Sequence, residues 1–80
     1  MTPLDAALLA AHEARDGAAL VRLYQEAAAA ARTEGAAAFY LTHAHVFALE
    51  TGHPDAEALR RALVERGCEE PLHPASPPRR

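Results

Sequence analysis
The sequence predicts an all-α fold, four antiparallel helices arranged as two stacked helix-turn-helix hairpins, and three observations predict it. Apolar residues recur at helical spacing through the first 67 positions. Gly17, Gly35, Gly52 and Gly67 stand 18, 17 and 15 residues apart, each at the edge of such a stretch. Glycine is at home in the left-handed position after a helix and costs roughly 1 kcal/mol inside one, so evenly spaced glycines read as helix boundaries. Helix-start signals stand before the first, second and fourth stretches: Thr2-Pro3, Asp16 and His53-Pro54-Asp55.

The first helix is predicted from Pro3 to Arg15. Thr2 is its N-cap, Pro3 its first helical residue and Asp5 the return partner of a capping box. Leu4, Leu8 and Ala11 form its apolar stripe, with Leu9 beside it. The second helix is capped by Asp16 and predicted to run to Thr33, burying Leu20, Tyr24, Ala27 and Ala31 and exposing Arg22, Gln25, Glu26 and Arg32. Its Ala27–Ala31 run combines the highest helix propensity with a thin profile that lets a neighbour approach closely.

The third helix, Gly35 to Thr51, is apolar nearly all round. At 100° per residue, Phe39, Tyr40, His43, Val46 and Phe47 fall on one side, and Ala38, Leu41, His45 and Leu49 on the other. Two apolar sides predict a central helix packed on both faces. The fourth helix is predicted to open at His53-Pro54-Asp55 with Pro54 at its first helical position and to end at Gly67, with Ala56, Leu59 and Leu63 inward. Glu57–Arg61 and Arg61–Glu65 make i,i+4 pairs outside. Residues 1–67 therefore make one helical domain. Residues 68–80, with four prolines and few apolar groups, are predicted to be a flexible tail.

Composition excludes several functions. With 80 residues the chain holds one domain, and 21 of its 40 apolar residues are alanine, so its core is small. A net charge of −3 with eight scattered arginines lacks the basic patch of a nucleic-acid binder. No apolar run reaches the roughly 18–20 residues a membrane span needs, and Met1-Thr2-Pro3-Leu4-Asp5 lacks the basic start of a secretory signal. The single cysteine, Cys68, cannot form an internal disulfide and fits a reducing cytoplasm. Abundant Ala and Arg without Lys, Asn or Ile reads as the codon bias of a GC-rich bacterial genome.

A second layer of order lies above the helices. At an offset of 39 residues, Asp16, Ala19, Leu20, Arg22 and Glu26 are matched by Asp55, Ala58, Leu59, Arg61 and Glu65. The segment Ala44-His45-Val46-Phe47-Ala48-Leu49-Glu50-Thr51-Gly52-His53-Pro54-Asp55-Ala56 resembles the central turn of a tetratricopeptide repeat, an apolar first helix followed by Gly, polar residues and Ala opening a second helix. The resemblance is best over residues 35–67 and looser before them, and it extends to small Ala- and Arg-rich bacterial proteins of repeat-like character. The turn after Gly52 is one residue shorter than the family's spacing, and no proline follows the first hairpin. The resemblance implies a helix stack whose first helices line a concave, peptide-binding face. Two hairpins fall short of the three or so that a solenoid needs, which points to a capping role or self-association.

The candidate chemistry is sparse. His43 and His45 stand two apart, so on a helix they point about 200° from one another and cannot share a metal. His12 on the first helix can meet one of them in space. The carboxylates Glu69 and Glu70 beside Cys68 raise a thiol pKa, the wrong direction for a nucleophile. The four isolated glycines make no phosphate loop. The sequence therefore predicts no enzyme, no cofactor and no metal site. It predicts an interaction or adaptor module that presents a helical groove to an unknown protein or peptide. Self-association as a homodimer is the alternative, and a His-based metal or small-molecule site a third reading. The candidate partner surface is Ala38, Thr42, His45 and Leu49 on the third helix. In the tetratricopeptide-like register Thr42 and Leu49 face the groove; the same stripe also reads as ordinary core packed on a neighbouring helix.

Overall fold
The computed structural model describes residues 2–67, which form α1 (Pro3–Ala14), α2 (Gly17–Ala30), α3 (Glu34–Thr51) and α4 (Ala56–Glu65), with no strand among the described residues. The fold class is the all-α one predicted; the tail predicted over 68–80, Cys68 included, lies outside the described residues.

Local chemistry explains where each helix begins and ends. At α1 the capping box forms as the sequence requires: the Thr2 hydroxyl accepts from the Asp5 N–H at 3.0 Å, and the Asp5 carboxylate accepts from the Thr2 N–H at 3.4 Å. Asp16 caps α2 by accepting from the Ala19 N–H at 3.1 Å. Between them Arg15 takes the left-handed conformation, φ 56°, that glycine usually supplies.

Gly17, two residues on, is there for a different reason. A Cβ built on it would lie 2.3 Å from Thr51 Cγ2. The start of α2 and the end of α3 touch, and only a hydrogen fits between them.

Two predicted boundaries move. α2 stops at Ala30, three residues before Thr33, because Ala31 turns extended with ψ 145°. Thr33 instead caps α3, its hydroxyl accepting from the Ala36 N–H at 3.0 Å. A threonine hydroxyl satisfies an orphan amide at a helix start and offers nothing comparable at a helix end, which decides between the two roles. At the other end of α3, Gly52 adopts φ 64° and the His53 N–H reaches back to the Ala48 carbonyl at 2.9 Å. Pro54 stays in the turn, and α4 begins only at Ala56, not with Pro54 as its first helical residue. Asp55 precedes α4 without capping it, because its carboxylate accepts instead from Gln25 Nε2 of α2 at 3.1 Å.

The helices alternate in direction. Gly17 at the start of α2 meets Thr51 at the end of α3, while Tyr24 further along α2 meets the earlier His43. Glu34 at the start of α3 pairs with Arg66, just beyond α4. α2 and α3 share the most extensive contact, α1 packs on α2, and α4 packs on α3. One buried cluster joins Val21 with Leu41, Ala44, Ala48, Leu59 and Leu63; a second joins Ala11 with Leu20 and Leu23. Leu59 and Leu63 are the inward residues predicted for the last helix, and Glu57 pairs outside with Arg60 and Arg61.

The expectation for the third helix needs correction. α3 buries one face only, Ala37, Leu41, Ala44, His45 and Ala48, against α2 and α4. Its opposite face meets no other described helix, and Phe39, Val46 and Leu49 are exposed there.

The contact at Gly17 yields a prediction. In Gly17→Ala the new methyl forces Thr51 to rotate, breaking the bond its hydroxyl donates to the Phe47 carbonyl at 2.9 Å. The expected loss is about 1 kcal/mol in denaturant unfolding. Gly17→Ala combined with Thr51→Ala should be less destabilised than the two single losses added together; strict additivity would refute the contact.

Candidate interaction surface
The four residues singled out from sequence do not share one environment. His45 is buried, 8% exposed, whereas Leu49 is 62% exposed. Thr42 is exposed and Ala38 half-buried. Helix geometry separates them: His45 lies one residue from Ala44, at the centre of the buried face, and its side chain turns toward the α4 side. There it is one of the charges acting on Glu57, whose carboxyl is held below the usual carboxylate range first by a hydrogen bond from Arg60. The charges of Arg60, Arg61 and His45 act in the same direction, against desolvation.

The exposed members belong to a different stripe. Phe39, Thr42, Val46 and Leu49 succeed one another at intervals of three, four and three residues, which on a helix places them within about 80° of arc. Phe39 is 56% and Val46 45% exposed, so this face of α3 carries three large apolar side chains in water. The Thr42 hydroxyl donates to the Ala38 carbonyl at 2.8 Å, so the one polar group in the stripe is satisfied within its own helix.

An aromatic cluster borders this face, and sequence reasoning did not anticipate it. Tyr24 of α2 stacks on Phe47 at 5.9 Å between ring centres and lies 5.2 Å from His43 and 6.2 Å from Tyr40. His12 of α1 meets both Tyr24 and Phe47 edge-on, and its Nε2 hydrogen-bonds the Tyr24 hydroxyl at 2.9 Å. Partial burial and the neighbouring Tyr40 raise the Tyr24 pKa, burial being the larger cause. His12 and His43 thus converge on a tyrosine that lies between them. The only available signal was that His12, Tyr24, His43 and Phe47 are the ring-bearing residues on the inward edges of three consecutive segments.

One ring nitrogen each of His12, His43 and His53 has a protein partner. His43 Nδ1 donates to the Phe39 carbonyl at 3.0 Å, and His53 Nδ1 accepts from the Asp55 N–H at 3.0 Å. Among the described residues no group of three or more His, Cys, Asp or Glu side chains is placed to hold a metal ion. Two open clefts flank the central pair of helices. One, about 550 Å³, lies beside the α3–α4 turn, and its polar groups bond one another: Arg22 with Glu26, Gln25 with Asp55. The other, about 410 Å³, lies beside the α1–α2 turn and is floored by Leu20 and Phe47. No described helix is long and apolar enough to cross a membrane.

No protein-family profile matches this chain, and no curated protein or solved structure matches it either.

Two predictions follow from burial and titration. His45→Glu, which places a carboxylate in the core, should lower stability by several kcal/mol, while Leu49→Glu should change it by no more than about 0.5 kcal/mol; equal effects in thermal unfolding would contradict this division of α3. Tyr24 titrates at higher pH in the folded chain, so its neutral form contributes stability that is intact below pH 10 and is lost as pH rises through the folded pKa. Tyr24→Phe should flatten that alkaline loss and, by removing the bond to His12, cost about 0.5–1.5 kcal/mol at neutral pH.

Proposed function
We propose that this chain is a non-enzymatic protein–protein interaction module, an adaptor of the bacterial cytoplasm built on a tetratricopeptide-like pair of hairpins, whose contact surface is the outer face of α3. The supporting observation is the stripe of Phe39, Val46 and Leu49, exposed along the longest described helix with no other described helix over it. Isolated exposed apolar residues are ordinary, but three in register on one helix face form a contiguous patch, which on soluble proteins marks a contact site. Thr42 and Leu49 keep the role that the tetratricopeptide-like register gives them. Ala38 forms the margin of the surface, and His45 supports it from beneath. The metal-site reading is weaker because, among the described residues, no three His, Cys, Asp or Glu side chains come together as a metal would need.

A photo-activated cross-linker installed at Val46, and separately at the exposed Ala58 of α4 as control, tests this in cells of the source organism. Adducts are expected from position 46 alone and should vanish when Leu49→Glu is added. Equal labelling from both positions, or none from position 46, would overturn the proposal.

A further inference from the structure
The two clefts beside the central helices differ in what their charges do. In the larger, Arg22 pairs with Glu26 and Gln25 with Asp55, so its polar groups are spent on one another. The smaller, about 410 Å³, is bounded by α1 and α3, which have no backbone contact with each other, and its floor is the buried Leu20 and the half-buried Phe47. Tyr24, stacked at 5.9 Å, and His12, edge-on at 5.7 Å, hold the Phe47 ring in place. Arg15 lines this cleft from the end of α1, and Glu50 lines it from the last turn of α3. Neither side chain forms an ion pair or hydrogen bond with another described residue.

Both residues stand where local chemistry disfavours them. Arg15 closes α1 in the left-handed conformation, φ 56°, as Gly52 closes α3 at φ 64°. The two turns are built alike: the Asp16 N–H returns to the Ala11 carbonyl at 3.0 Å, and the His53 N–H to the Ala48 carbonyl at 2.9 Å. Glycine suits such a turn, and an L side chain is strained there. Glu50 sets a carboxylate beside the negative end of the α3 dipole, where an acid is unfavourable. A residue that breaks a local rule without compensation inside the fold points to a functional position. Here two such residues line one cleft, with opposite charges over an apolar floor.

We propose that this cleft binds a small zwitterion with an apolar side chain, an apolar α-amino acid. Its carboxylate lies on Arg15, its ammonium on Glu50 and its side chain against Leu20 and Phe47. Charge complementarity selects the zwitterion: a lone anion is repelled by Glu50, and a lone cation by Arg15. The cleft falls near the lower end of the roughly 300–1,000 Å³ typical of small-molecule sites, which suits a single amino acid. Phe39, Val46 and Leu49 do not line it, so this site is separate from the contact surface on α3 and does not depend on it. Both charges work at a solvated rim, so the affinity is modest, with Kd on the order of 1 mM.

Titration of the full chain with L-leucine, followed through the NMR signals of the Leu20 methyl groups and the Phe47 ring, tests the proposal. Those signals should shift and saturate. N-acetyl-L-leucine, which lacks the ammonium, and L-leucinamide, which lacks the carboxylate, should each bind about tenfold more weakly. Arg15→Gly should weaken L-leucine about tenfold while the melting temperature holds or rises, because glycine suits the turn. Glu50→Gln should weaken L-leucine similarly and leave N-acetyl-L-leucine unchanged. No saturable shift up to about 20 mM, equal affinity for the three leucine compounds, or L-leucine binding untouched by Arg15→Gly overturns the proposal. Should either variant fail to fold, the ranking of the three compounds on the wild-type chain decides.

Discussion

Everything in this fold hangs on the close approach of α2 to α3. Val21, Ala44 and Ala48 are wholly buried in that contact, and where α2 begins, Gly17 admits the Thr51 methyl into the space a side chain would fill. Small residues bring the backbones together, and closeness raises the number of dispersion contacts each remaining atom makes. A chain whose apolar half is mostly alanine can gain cohesion in few other ways. The larger side chains are then left for the two flanks, where Leu59 and Leu63 of α4 close one cluster and Leu20 and Leu23 of α2 close the other under α1.

That economy leaves α3 half-covered. Its inner face is spent on α2 and α4, and the aromatic group around Tyr24 seals the edge toward α1. No other described helix meets the outer face. An exposed stripe of this kind is tolerated by selection when covering it does something useful, which ties the packing of the domain to the functional reading. The buried His45 and the exposed Leu49, four residues apart on one helix, mark the line between the part of α3 that holds the domain together and the part that faces outward.

Much of the architecture was legible in the sequence. The Thr2–Asp5 capping box, the Asp16 cap, the left-handed Gly52 and the inward Leu59 and Leu63 all follow from local chemistry that a single chain displays. The end of α2 was harder to read because the alanine run has no stop signal of its own; what stops it is the greater value of Thr33 as the cap of the next helix. Pro54 misled in a similar way, since a proline suits a turn as well as a first helical turn, and the pull of Gln25 on Asp55 decides the matter from another helix. On α3 the apolar residues are spread so evenly around the axis that periodicity names no inner face. Only the position of α2 and α4 does so, and that is why His45 and Leu49 stood together in the sequence and part in the structure. The meeting of His12 with Tyr24 and Phe47 is tertiary, and no spacing along the chain announces it.

One feature of the packing bears on how the domain comes into being. Each backbone-to-backbone helix contact is between neighbours in sequence, α1 with α2, α2 with α3, and α3 with α4. Such a chain of local contacts has little loop entropy to overcome before a contact repays it, which places the domain among the fast folders, in the microsecond to millisecond range. The same linearity sets the order of loss. α1 and α4 each have backbone contact with a single neighbour and can open separately, while the α2–α3 pair must come apart last. Slow amide exchange should therefore concentrate on the inner face of that pair, with the ends of the domain exchanging early.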